Sequence, residues 1–150
     1  MNAETLNRMT ADEAQQAIVD EFSLLGDWNE RYQYLIDLGR RLPPFPERWR
    51  DEAHKVKGCQ SQVWMAVEPV DGVLHIHATS DALIVSGLIA LLLRVYNDRP
   101  AAEITATRPW FVAALGLGAQ LSPTRSNGLA AMLARIQELA HQTQPPLAGC

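Results

Sequence analysis

The sequence predicts an α+β domain in which a small antiparallel sheet packs against several helices. Three observations carry this. Apolar and polar residues alternate over positions 61–69 and again over 73–79, with Asp71-Gly72 between them as a hairpin turn. Residues 82–96 are apolar nearly all round, the pattern of a central, buried helix. Helical periodicities stand on either side of these elements, and no internal repeat divides them. At 150 residues the chain makes one domain, long enough to bury a core without disulfides or metals.

Taken in order, residues 1–9 carry no periodic signal and are expected to be flexible. Thr10 followed by Glu13 is a capping-box pattern, and Ala14, Ala17, Ile18, Phe22 and Leu25 give the apolar stripe of a first helix ended by Gly26. Asp27 repeats the start signal, and Trp28, Tyr32, Leu35 and Leu38 form a second stripe running to about Leu42. Pro43-Pro44-Phe45-Pro46 forbids helix and reads as an extended crossing, with a short helical turn opening at Pro46. A third strand around 53–57 is a weaker expectation. In the hairpin, Val63, Met65 and Val67 share one face, as do Leu74, Ile76 and Ala78; His75 and His77 fall on the other. Ser80 is the expected N-cap of the buried helix, with Asp81 in its first turn. Pro100 and Pro109 start two short helices, the second broken by Gly116 and Gly118. Ser122-Pro123 starts the last helix, striped by Leu129, Met132, Leu133, Ile136 and Leu139. Residues 142–150 read as a loose tail.

Composition removes several classes of function. The chain is 47% apolar and 20% charged, as ordinary globular proteins are. A net charge of −4 speaks against a general nucleic-acid binder, which needs a basic surface. The longest apolar run, 82–93, is too short to cross a bilayer, and no basic-then-apolar leader opens the chain. Two cysteines, one of them the last residue, make no disulfide framework, so the cytoplasm is the expected compartment.

Chemistry concentrates at Gly58-Cys59-Gln60-Ser61-Gln62. Cys59 follows a glycine, sits among polar residues and lies just after His54, Lys55 and Lys57, cations that would lower a thiol's pKa if they faced it. A small buried hydrophobe is the plainer alternative for any cysteine. Cys150 has no such context; a disulfide to Cys59 in oxidising buffer would be an artefact. His75 and His77 offer two metal ligands with Cys59 as a third, but a solvent-facing strand is the favoured reading, and no metal motif accompanies them. His54 or His77 beside Cys59 would suit a thiol hydrolase, for which no further signature is present. Arg125, in the first turn of the last helix, opposes the helix dipole and so hints at another task.

Several segments together resemble the SufE family: Gly58-Cys59-Gln60-Ser61-Gln62-Val63-Trp64, Ser80-Asp81-Ala82, Arg108-Pro109-Trp110-Phe111, and Leu121-Ser122-Pro123-Thr124-Arg125-Ser126-Asn127-Gly128-Leu129. The likeness runs from about residue 15 to residue 140 in constant order. It implies a fold similar to IscU-type scaffolds and a sulfur acceptor for a PLP-dependent cysteine desulfurase, of SufS-like or CSD type. Cys59 would become a persulfide and pass its sulfur to an iron–sulfur scaffold. Arg125, Asp81, Gln60 and Lys57 are the expected partner-contact residues. No metal and no cofactor are implied in this chain, since PLP belongs to the desulfurase, and a homodimer is left open. Thiol–persulfide exchange needs a mobile loop, and a thiol left in water would oxidise, so the loop is expected to tuck Cys59 against apolar surface at rest. The rival reading is a scaffold-like module that holds metal or nascent cluster through Cys59 and histidines.

Overall fold

The computed structural model describes residues 9–143. Among these residues, seven α-helices and one two-stranded antiparallel sheet form the expected α+β architecture. Helix α1 (Ala11–Ser23) opens on the capping box: Thr10 accepts from the Glu13 amide, and Glu13 reaches back to the Thr10 amide. Helix α2 (Trp28–Arg40) is capped by Asp27, whose carboxylate accepts from the Glu30 amide, and ends two residues before Leu42. The proline-rich crossing follows, with 3₁₀ turns at Glu47–Trp49 and Glu52–His54.

Strands β1 (Val63–Val70) and β2 (Val73–Ser80) make the hairpin, pairing Val67 with Ile76 and Val70 with Val73. The weakly expected third strand shrinks to one bridge, Lys55 to Trp64, and one bond from the Val56 amide to the Val63 carbonyl at 2.8 Å. Along the other edge, Leu74 exchanges bonds with Arg99 and Asp98, and the Ile76 amide donates to Asn97 Oδ1. The alternation assigned the faces correctly. Met65, Leu74, Ile76 and Ala78 lie in the core. The opposite face is covered at one end, where the crossing buries Trp64, and stays partly exposed around His75, Glu68 and Val70.

Helix α3 (Leu83–Tyr96) is the central element, with eight buried residues including Leu88, Leu91, Leu92 and Tyr96. It packs closely against α2, where Gly39 meets Gly87 and brings the two backbones together. Arg94 on α3 holds Glu21 on α1 through two bonds of 2.7 and 2.5 Å, and Tyr34 on α2 donates to the same carboxylate. Helices α4 (Ala101–Ala106), α5 (Trp110–Leu115) and α6 (Leu117–Gln120) follow. Gly116 ends α5 as expected, whereas Gly118 lies within α6. Buried Gln15 fixes the α5 entry, donating to the Arg108 carbonyl and accepting from the Phe111 amide. Helix α7 (Pro123–Thr143) closes the domain, with Ser122 accepting from the Arg125 amide. It extends through Gln142 and Thr143, two positions expected in the tail. The expectations for residues 1–8 and 144–150, including Cys150, lie outside the described residues.

Candidate functional site around Cys59

The loop that carries Cys59 is shaped by its neighbours on both sides. Gly58 has φ +89°, a left-handed conformation that side chains rarely adopt, so the chain turns sharply before the thiol. Two residues after Gln60, the Gln62 amide donates to Asp81 Oδ1 at 3.1 Å and the Gln62 carbonyl accepts from the Asp81 amide at 3.3 Å. Asp81 therefore clamps the end of the loop. Its expected place in the first turn of a helix capped by Ser80 is wrong: Ala82 is the N-cap, and no side chain caps it. Ser80 accepts from the Ala82 amide instead, and its carbonyl receives the Ser86 hydroxyl. The local cap signal at Ser80-Asp81 is outcompeted by a contact 19 residues away.

The thiol points inward. Cys59 is half-buried against the core, and its S–H donates to the Gly128 carbonyl on α7 at 3.6 Å. Around it a cavity of about 10 Å³ is lined by Gln60, Ser61, Val85, Arg125, Leu129 and Met132, among others. That is room for about one water-sized atom. Burial pushes the Cys59 thiol above its ordinary value. This corrects the expectation of an activated thiolate. The cations adjacent in sequence are engaged elsewhere: His54 bonds Asp51 at 2.7 Å, and Lys55 pairs with Glu52 at 3.5 Å. Lys57 lines a different groove, with Ala131, Ala134 and Arg135. The loop thus holds a protonated, sheltered sulfur, as the resting-state expectation required.

Of the partner-contact candidates, Gln60 and Arg125 meet Cys59 in one cavity, Asp81 reaches the loop through Gln62, and Lys57 stands apart. Arg125 is exposed, so its guanidinium is open to an approaching molecule. Val85, Gly128 and Met132 also wall the thiol in, and sequence reading did not single them out for this. Their signal was present as the inward stripes of α3 and α7, but it was indistinguishable from ordinary core. Cys59 does not join the histidines. His75 and His77 line a separate cavity, and among the described residues no group of three or more His, Cys, Asp and Glu side chains is placed to hold a metal. No described helix is long and apolar enough to cross a membrane.

Known proteins resemble this chain over most of its length. A family model, SufE, described as an Fe–S metabolism associated domain, matches residues 16–140. A SufE-like protein of Rhizobium etli is 42% identical over 128 residues, covering 82% of this chain and 86% of its own length. A second, from Rhizobium meliloti, is 39% identical over 133 residues, covering 85% and 95%. The solution structure of a hypothetical protein from Thermus thermophilus shares the fold with a TM-score of 0.71, at 22% identity, covering 86% of this chain and 94% of the other. The match spans the cysteine loop, the Asp81 clamp and the first turns of α7, and the chain belongs to the SufE family, with a role in Fe–S metabolism.

Proposed function

We propose that this protein accepts sulfur from a PLP-dependent cysteine desulfurase of SufS or CSD type and carries it as a Cys59 persulfide to an iron–sulfur assembly scaffold in the cytoplasm. The observation that carries this reading is a half-buried thiol held in a small pocket by a loop with few attachments. A permanently exposed thiolate would be oxidised before it met a donor. A thiol sealed for good could not react. A loop hinged at Gly58 and pinned at Gln62 serves both needs.

In the transfer step, the loop leaves the α7 pocket and Cys59 loses its proton as it enters water. The thiolate attacks the outer sulfur of the donor cysteine persulfide. The new Cys59 Sγ–S bond forms as the donor S–S bond breaks, and the donor cysteine departs as a thiolate that takes up a proton. Disulfide-type exchange of this kind needs no outside oxidant. Arg125, exposed beside the pocket, offers positive charge to the approaching donor where the loop emerges, and Gln60 rides on the loop that enters the donor's site. The same exchange delivers sulfur: a scaffold thiolate attacks the outer sulfur of the Cys59 persulfide, and Cys59 leaves as a thiolate that regains its proton.

The test is desulfurase turnover of cysteine with and without this protein, followed by intact-mass measurement. Wild type is expected to raise the rate and gain the mass of one sulfur at Cys59. Cys59→Ser is expected to do neither. Equal stimulation by Cys59→Ser would sink the carrier reading. The scaffold-like alternative has less support, because Cys59 and the His75–His77 pair line separate cavities.

A further inference from the structure

Transfer chemistry at Cys59 leaves one basic surface beside its loop without a use. Between residues 53–57 and α7 runs a groove of about 320 Å³, with Lys55 and Lys57 on one wall and Arg135 and Glu138 on the other. The small side chains of Ala131 and Ala134 on α7 keep it open. Three cations and one carboxylate line it, in a chain whose net charge is −4. Lys57 is exposed, and among the described residues no carboxylate pairs with it. Lys55 leans on Glu52 at 3.5 Å and Arg135 on Glu138, but both carboxylates are mostly exposed, so these pairs are weak and exchangeable. The groove adjoins the sulfur loop. Ala131 is the residue that a Cβ on Gly58 would meet, and the Gly128 carbonyl that holds the Cys59 thiol lies about one turn back along α7.

We propose that this groove seats an acidic segment of the sulfur donor, with Lys57 as its principal grip. The inference rests on the sulfur-acceptor reading and adds to it the place where the donor holds the resting protein. At rest the thiol is tucked against α7 and offers little to grasp, so the donor needs a handle outside the pocket. Lys57 stands immediately before the Gly58 turn, so a carboxylate drawing it outward pulls on the point where the loop must bend. Charge at the rim of an interface acts mainly on the rate of encounter, which suits a carrier that must find its partner and leave it. A single basic groove on an acidic body fits a carboxylate-rich segment better than nucleic acid, whose continuous phosphates need a broad basic face.

Turnover of cysteine by a desulfurase of SufS or CSD type, measured against rising concentration of the full chain, tests this. Lys57→Glu is expected to raise the half-saturating concentration about tenfold while lowering the plateau rate far less, and Lys57→Arg to stay near wild type. Glu138→Gln removes the one carboxylate of the groove and frees Arg135. It should lower the half-saturating concentration about twofold, an improvement that structural damage would not produce. Added sodium chloride should weaken wild type more than Lys57→Glu. Circular dichroism checks that each variant is folded. Equal half-saturating concentrations for wild type and Lys57→Glu, or a loss as large with Lys57→Arg as with Lys57→Glu, would overturn the groove and leave the sulfur-acceptor reading standing. A wild type that stimulates the desulfurase at no concentration would overturn both.

Discussion

The crossing of α2 and α3 and the loop around Cys59 both rest on glycine, for opposite reasons. At the crossing, a Cβ on Gly87 would lie 2.2 Å from the Leu35 carbonyl oxygen, and one on Gly39 would lie 2.7 Å from the Gly87 nitrogen. Two backbones touch there with no slack. At the loop, a Cβ on Gly58 would meet only the Ala131 Cβ, at 3.3 Å, and the residue is glycine for its φ of +89°. One region uses the missing side chain to fix helices against each other, the other to let the chain bend. The proposed carrier role would draw on both, a loop able to bend and a body that holds it in place.

The largest effect should come from breaking the rigid region. Gly87→Ala forces the helices apart and should cost about 3 kcal/mol or more, read as a lower urea midpoint. An unchanged midpoint would show that the crossing has slack after all. A smaller effect should come from loosening the loop. Asp81→Ala removes the carboxylate that holds the Gln62 amide, a bond worth about 1 kcal/mol, so Cys59 should be alkylated roughly fivefold faster. The midpoint of its alkylation against pH, above the ordinary thiol value in wild type because of burial, should move down toward that value. Global stability should change little. Equal rates in both proteins would mean that Asp81 does not restrain the loop.

The smallest effect separates the regions by pH. Glu21 is held below the ordinary carboxylate value by its bonds from Arg94, opposed by partial burial and aided by Tyr34. A carboxylate with a lowered folded pKa stabilises the fold above the unfolded value, near 4.5, and that contribution is lost as pH falls through the folded value. Both side chains are about a third exposed, which keeps the effect on the order of 1 kcal/mol. Glu21→Gln should therefore flatten the loss of stability below about pH 4.5, measured by urea titration at stepped pH. A curve identical to wild type would remove this pair from the account.

Legibility followed range. The Thr10–Glu13 box, the Asp71-Gly72 turn and the Ser122-Pro123 start each need only residues within a few positions, and each is present in the fold. Ser80-Asp81 carried an equally good local signal and misled, because Gln62 reaches Asp81 from another segment. Lys57 and Lys55 were near Cys59 in sequence but not in its cavity, so proximity along the chain gave the wrong sign for the thiol. Buried Gln15 and the Glu21–Arg94 pair left no local trace, since Arg108, Phe111 and Arg94 lie far along the chain from the residues they hold. His77 read as solvent-facing because no pattern reveals that Trp49 folds back over it.

A two-stranded sheet has two edges, and both are obstructed here. On the β2 side, the amides of Leu74 and Ile76 are already taken by Arg99 and Asn97. Because Leu74 spends its bonds outward, its partner Pro69 also turns its nitrogen outward, and that nitrogen carries no hydrogen. Val56 occupies the other end of the same β1 edge. Among the described residues a foreign strand therefore meets an interrupted ladder on either side, which disfavours strand addition. Loops and helix faces, the Cys59 loop among them, carry no such interruption and are the better docking surfaces for a partner.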